Sequence, residues 1–396
     1  MRWFAAPLTL LAMIALPACP DPASSEDAST GWVDAASADA DVVDATASAD
    51  AAAGNDAPGS DAASDDAATA DAADADAASP DAGGAPGDIC QKPMFPPGAP
   101  WNQDISQAAV DSQSAEVITW LDGAGGWGNG AMQIDFSIEV LCAEAGTALR
   151  TFTKTANFWE GECDHEPVPV PTGGAIEGYD DYECTSGGDC HLIVIERSTG
   201  KLFEIWTASI SGGQATGGEF TGGCMAVWDL GQVPPDDLRG DQCSSADAAG
   251  LPIAPLLFDA DEVAAGEINH AIRFILPNAR IRHRTYVRPA THATGAASGG
   301  DSAPPYGIRL RLRSDYPLGT LPNEAARVVA RAMQRYGIIL ADGGNIALTA
   351  QSDRFTTAGW DGLLGPHDLN SLQVTDFEMV EAGTRYQWTG DCTLNP

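Results

Sequence analysis

His191-Leu192-Ile193-Val194-Ile195-Glu196-Arg197, then Ser198-Thr199-Gly200, then Lys201-Leu202-Phe203-Glu204-Ile205-Trp206 is the stretch that decides the fold class. Two short runs rich in β-branched and aromatic residues flank a small turn ending in glycine, which is the pattern of a β-hairpin. Outward from it, Ile268 to Leu276 and Gly307 to Arg313 read as further strands. In the second, Ile308, Leu310 and Leu312 alternate with Arg309, Arg311 and Arg313, as on a half-buried strand with one charged face. Two helices interrupt the strands. Ser112 to Leu121 is one. Asn323 to Tyr336 is the other, with Ala326, Val329, Ala330 and Met333 as an apolar stripe and Gly337 as its stop. Abundant Gly and Pro between short runs complete the picture. The expectation is a mainly β, antiparallel, β-sandwich or jelly-roll-like single domain with a few peripheral helices, following a disordered N-terminal tether.

The N-terminus carries its own signal. One charge at Arg2 precedes an apolar run from Trp3 to Leu16 that ends in Leu16-Pro17-Ala18-Cys19. The run is too short to span a bilayer, and its end resembles a lipobox. Residues 1-18 are therefore expected to be a lipoprotein signal peptide, with Cys19 the lipidated residue that holds the chain to a membrane. Pro20 supplies no acidic retention signal, so the outer membrane or cell surface is the expected address. Residues 19-88 form an Ala/Asp-rich acidic linker with seventeen acidic residues and no Lys or Arg. Such a segment cannot bury enough apolar surface to offset chain entropy and is expected to be disordered. As a neutral coil its ends would lie about 45 Å apart, and repulsion between its charges extends it further.

Residues 89-396 form the expected folded domain, stabilised by disulfides. With Cys19 assigned to lipid, eight cysteines remain, an even number in an exported chain, with no C-x-x-C spacing to suggest zinc or redox work. Cys90 with Cys392, Cys184 with Cys190, and Cys224 with Cys243 are reasonable pairings among the 105 that eight cysteines allow. Setting aside the linker acids and Arg2, the domain holds 39 acidic and 19 basic residues, a net charge of about −20. A surface that acidic excludes nucleic acid as a partner and favours solubility.

Five ordered motifs carry a family resemblance: Ser245-Ala246-Asp247-Ala248-Ala249-Gly250-Leu251-Pro252-Ile253; Gly266-Glu267-Ile268-Asn269-His270-Ala271-Ile272-Arg273-Phe274; Tyr286-Val287-Arg288-Pro289-Ala290-Thr291-His292; Pro304-Pro305-Tyr306-Gly307-Ile308-Arg309; and Tyr336-Gly337-Ile338-Ile339-Leu340-Ala341-Asp342. With Ile176-Glu177-Gly178 and His191 upstream, the chain resembles a family of exported proteins of bacteria and some fungi over most of residues 100 to 380. The resemblance implies export. It brings no activity and no catalytic residue.

The chemistry must then come from the residues. No G-x-S-x-G, H-E-x-x-H or Walker loop is present, and Gly123 to Gly128 fits G-x-G-x-x-G only after a helix-like segment. No cofactor is expected. The segment from His270 to Arg313 concentrates His270, His283, His292, Tyr286 and eight arginines against one acid, Asp301. If its strands pair, the guanidinium groups line a groove suited to an acidic polysaccharide. Imidazole beside Arg suits proton abstraction next to a carboxylate, as β-elimination of uronates requires. On that reading His191, His270, Arg288 and His292 are the catalytic candidates, and Glu177, Asp247, Tyr286, Arg309 and Asp342 contact substrate. The same histidines with Asp342 or Asp247 are the alternative metal set, though their scattered spacing argues against a metal. A glycoside hydrolase would instead use two carboxylates, from Glu177, Asp180, Asp247, Glu267 and Asp342. Two functions remain open: a surface-anchored, monomeric protein that binds or degrades an extracellular polysaccharide, as a lyase or a glycoside hydrolase, or a non-catalytic adhesion module.

Overall fold

The hairpin read from sequence forms β3 (Leu192–Glu196) and β4 (Lys201–Ile205), paired antiparallel from Leu192 with Ile205 to Glu196 with Lys201. Gly200 closes its loop at φ +70°, a conformation that strains any residue with a Cβ, and its N–H donates to Glu196 O at 2.9 Å. On one side β4 pairs antiparallel with β5 (Met225–Asp229); on the other β3 pairs parallel with β2 (Leu141–Ala143). Both faces of this four-stranded sheet are covered. Ile193, Ile195 and Leu202 join the larger core, whereas Leu192, Val194, Phe203 and Ile205 join a second, smaller one. That double burial explains why the run Leu192 to Ile195 is continuously apolar.

The larger core lies between this sheet and a six-stranded one. Its strands are β1 (Ile134–Ile138), β6 (Ile272–Leu276), β7 (Arg309–Leu312), β8 (Ile338–Gly343), β9 (Leu348–Gln351) and β10 (Phe377–Met379), in the order β1-β9-β6-β8-β7-β10. The structure, a computed structural model, describes residues 88 to 395, and they form one mainly β unit with open, mixed sheets. Three ladders of the two sheets are parallel, β1 with β9, β6 with β8 and β2 with β3, where the pattern suggests antiparallel pairing throughout. Alternation within a strand reports which face is buried and carries no information on a neighbour's direction. The expectations for the signal peptide, Cys19 and the linker fall on residues 1 to 87, outside those described, apart from Asp88.

Three α-helices flank the sheets: α1 (Ser114–Gly123), α2 (Ala260–Ala265) and α3 (Glu324–Arg335). In α3 the Asn323 side chain accepts from Ala326 N at 2.8 Å, and Ala326, Val329, Ala330 and Met333 are buried. Among the described residues no helix is long and apolar enough to cross a membrane.

Four disulfides join Cys90 to Cys142, Cys163 to Cys224, Cys184 to Cys190 and Cys243 to Cys392. They belong to an oxidising, extracytoplasmic environment. Of the pairings suggested by sequence only Cys184 with Cys190 occurs. Cys90 and Cys392 do not meet, because Cys392 closes on Cys243 beside the C-terminal segment and Cys90 on the start of the four-stranded sheet.

The arginines do not form an open groove. Arg309 donates through Nε to Tyr336 O at 2.6 Å, and through its terminal nitrogens to Pro100 O at 2.9 Å and Gln103 O at 3.0 Å. Arg311 pairs with Glu378 and donates to Ile105 O and Ala108 O. The alternating face of β7 is thus covered by the segment from 100 to 108 and acts as its clamp. Arg280 similarly holds the carbonyls of Gly126, Trp127 and Gly128. Carbonyl oxygens of irregular segments need donors when covered, and a guanidinium supplies several in one plane.

Candidate functional site

A row of polar side chains crosses the buried face of the six-stranded sheet. Asp135 on β1 lies beside Thr349 on β9, its register partner. Arg273 on β6 reaches Thr349 Oγ1 through Nη1 at 3.1 Å. It holds Asp247 with two bonds, Nε to Oδ2 at 2.8 Å and Nη2 to Oδ1 at 2.9 Å, and donates from Nη2 to Asp342 Oδ2 at 3.0 Å. Asp247 follows the second sheet in sequence; Asp342 lies near the end of β8. Opposite the row, His191 precedes β3 and faces Glu177. Its Nδ1 donates to Glu177 Oε2 at 2.6 Å and its Nε2 donates to Ala246 O at 3.1 Å. Ala246 and Asp247 are adjacent in the chain, so one short segment ties the histidine pair to the arginine centre.

Burial separates the row into supporting and solvent-facing groups. Asp247 is fully buried and Arg273 is 4 % exposed. The side chains of Glu177 and Asp342 retain 18 % and 16 % of their surface, and Asp135 is half-buried. These three carboxyls keep part of their surface, whereas the arginine behind them is closed off.

The row pushes its carboxyls in opposite directions. Burial raises Asp342 well above the usual carboxylate range, and Asp247 alongside adds to it against the pull of Arg273. Burial also raises Asp135, and the charge of Glu177 adds to that. Glu177 goes the other way: burial works upward, but the charged His191 overrides it and holds the carboxyl low. His191 is carried up to about 10 despite its burial, because Glu177 faces one ring nitrogen. The geometry agrees. Both ring nitrogens meet acceptors, and only the imidazolium has two N–H groups to give them.

The structure brings four of the sequence candidates together, His191, Glu177, Asp247 and Asp342, and disperses the others. His191 is a fixed buried cation near neutral pH, which does not fit the general-base role expected of it. His270 is fully buried beside α2, its ring nitrogens facing Ala271 O at 2.7 Å and Glu262 Oε2 at 3.3 Å. His292 donates from Nδ1 to Ala248 O at 2.7 Å and packs edge-on against Trp388; burial lowers it to about 4. Arg288 is paired with Asp241 at 3.0 Å, and Tyr286 donates to the same carboxylate at 2.6 Å. Tyr286 stacks on Tyr386, over which Arg288 lies. This second assembly ties the C-terminal segment down. Arg309 is the clamp already described. Among the described residues no group of three or more His, Cys, Asp or Glu is arranged to hold a metal ion.

Sequence reasoning passed over Asp135, Thr349 and the pivotal place of Arg273. One signal was visible: in Ile272-Arg273-Phe274-Ile275-Leu276 an arginine stands alone in an apolar strand, which requires a buried partner. Comparison with protein-family models, with curated proteins and with solved structures finds no match in any of the three.

Proposed function

We propose that the domain cleaves an extracellular polysaccharide by hydrolysis, from a chain anchored through lipid on Cys19 at the outer membrane or cell surface. The observation that carries this reading is a pair of partly exposed carboxyls in one polar row between two sheets, whose surroundings push them in opposite directions, Asp342 up and Glu177 down. Two carboxyl groups of which one keeps its proton and the other does not are what glycoside hydrolysis uses. Asp342 donates its proton to the departing glycosidic oxygen. Glu177, an anion, acts at the sugar carbon, by activating water or by direct attack. Arg273 and Asp247 hold Asp342, and His191 holds Glu177; these three are positioning residues. Elimination loses its support, since His191 has no free lone pair near neutral pH and both His270 and His292 are enclosed.

The test is to secrete the full chain through an oxidising compartment and incubate it with neutral and acidic polysaccharides, measuring new reducing ends and new unsaturated ends. Hydrolysis yields reducing ends alone. Asp342→Asn and Glu177→Gln should each lower turnover at least a hundredfold while the fold, followed by circular dichroism, is kept. Unsaturated products, or full turnover in Asp342→Asn, would refute the assignment.

A further inference from the structure

Glu177 and His191 stand 14 positions apart in the chain and are joined by more than their side chains. Glu177 N donates to His191 O at 3.0 Å, and His191 N donates back to Glu177 Oε2 at 3.2 Å, the oxygen that Nδ1 also meets. Glu177 thus takes the edge of β3 that β2 does not reach, since the pairing of β2 begins at Leu141 with Val194. The backbone that delivers His191 to this position is unusual. Continued by two residues, the register of β3 with β4 sets Cys190 opposite Thr207, and both facing residues take positive φ, +48° and +54°. Neither is glycine and Thr207 is β-branched, so both are strained. Hydrogen bonds persist across the kink: Thr207 N donates to Asp189 O at 2.7 Å, and Ala208 N to Cys190 O at 3.1 Å. Cys190 is 2 % exposed and bound to Cys184, whose N–H donates to Ser209 Oγ at 3.1 Å. One covalent bond therefore holds the residue directly before His191 in a conformation that its own backbone disfavours.

We infer that Cys190 is a positioning residue of the site: its left-handed backbone, locked by the disulfide to Cys184, aims the N–H and the Nδ1 of His191 together at one oxygen of Glu177. This rests on the hydrolysis reading for what Glu177 does, and on geometry alone for what holds it. Global stability is not what the bond mainly supplies. With a sequence separation of 6, against 52, 61 and 149 for the other three, it restricts the unfolded chain least. Strain kept beside a site residue by a bond of small stabilising value points to a local task. With the bond opened, residue 190 relaxes toward extended backbone and the two donors of His191 cease to converge. Nothing nearby replaces Glu177 as their acceptor. Asp189 and Arg273 are the other charged groups that act on the ring; the Asp189 carboxylate accepts from Trp206 Nε1 at 2.9 Å, and Arg273 opposes protonation.

The test uses the full chain secreted through an oxidising compartment, with nitrogen-15 spectra of the His191 ring followed across its titration and circular dichroism confirming that each variant is folded. Cys184→Ser with Cys190→Ser should lower the midpoint of the ring by more than about one pH unit, a tenfold or greater loss of proton affinity. Cys184→Ser with Cys190→Gly lacks the bond as well, yet glycine takes positive φ without strain, so it should recover most of that shift. Cys90→Ser with Cys142→Ser opens a longer loop elsewhere in the same sheet and should leave the midpoint in place. An unchanged midpoint in the serine pair, a glycine variant no better than serine, or an equal shift in the Cys90 and Cys142 variant would overturn the inference. On the polysaccharide that the parent cleaves, turnover should fall at least tenfold in the serine pair and return in the glycine variant. A parent that cleaves no polysaccharide would refute the hydrolysis reading alone, because the ring spectra need no substrate.

Discussion

The charged state of His191 has a consequence measurable without a substrate. In the unfolded chain a histidine titrates near 6.5; in the fold Glu177 holds His191 up to about 10. The group's folded value is thus raised, so its stabilisation is complete below about pH 6.5 and is lost as pH rises toward 10. Between those values the native state binds one more proton than the unfolded state, and stability falls by about 1.4 kcal/mol per pH unit. From pH 7.5 to 9.5 the loss is roughly 2 to 3 kcal/mol, a large share of the margin of an ordinary domain. The side chain is 3 % exposed, so solvent screens the pair little. Urea unfolding at pH 7.5, 8.5 and 9.5 reads the slope. His191→Gln keeps an amide donor toward Glu177 and removes the titration, so the difference between variant and parent should shrink with pH at that rate, whatever tyrosines and lysines add to both. Nitrogen-15 spectra of the ring at pH 7.5 should show both nitrogens protonated. Parallel slopes for the two proteins, or a His191 ring that titrates near 6.5, would refute the imidazolium assignment and with it the explanation for the low Glu177.

His292 has the opposite sign: its folded value of about 4 lies below the unfolded one, so its contribution is present above about pH 6.5 and is lost toward pH 4, and His292→Gln should flatten the acid limb of the stability curve. Arg309→Met should cost about 3 kcal/mol in urea unfolding, since it strips donors from the carbonyls of Pro100, Gln103 and Tyr336. Replacing Cys243 and Cys392 by serine opens a separation of 149 residues and should cost about 5 kcal/mol on a chain-entropy basis, against about 2 for Cys184 and Cys190, separated by 6. Calorimetric melting of the two double variants decides whether that order holds.

What sequence reveals here follows the range of the physics. The hairpin around Gly200 and the helix begun by Asn323 rest on residues a few positions apart, and both are present. Helix α1 runs Ser114–Gly123, two residues later than the pattern places it, and β6 starts at Ile272, not Ile268. The parallel pairing of β6 with β8 joins segments more than sixty residues apart, with nothing local to record its direction. Disulfide partners are equally nonlocal, and only the one with a separation of 6 was legible. The site is intermediate. Glu177, Asp247 and Asp342 stand out because small residues surround them, yet their grouping depends on Arg273, whose partners lie 26 and 69 residues away.

The arginines of β6 and β7 show why composition alone misleads about binding. The segment from 270 to 313 is basic in an acidic domain, which suggests a site for anions. Nearly all of that charge is consumed internally, by carbonyls of irregular loops and by single carboxylates such as Asp241 and Glu378. A domain with long loops between its strands must supply donors for each covered carbonyl, and arginine does so with the fewest side chains. The basic composition of that segment is therefore no ground for expecting an anionic ligand, because each guanidinium that a local count assigns to a groove is already spent on a covered carbonyl or a single carboxylate.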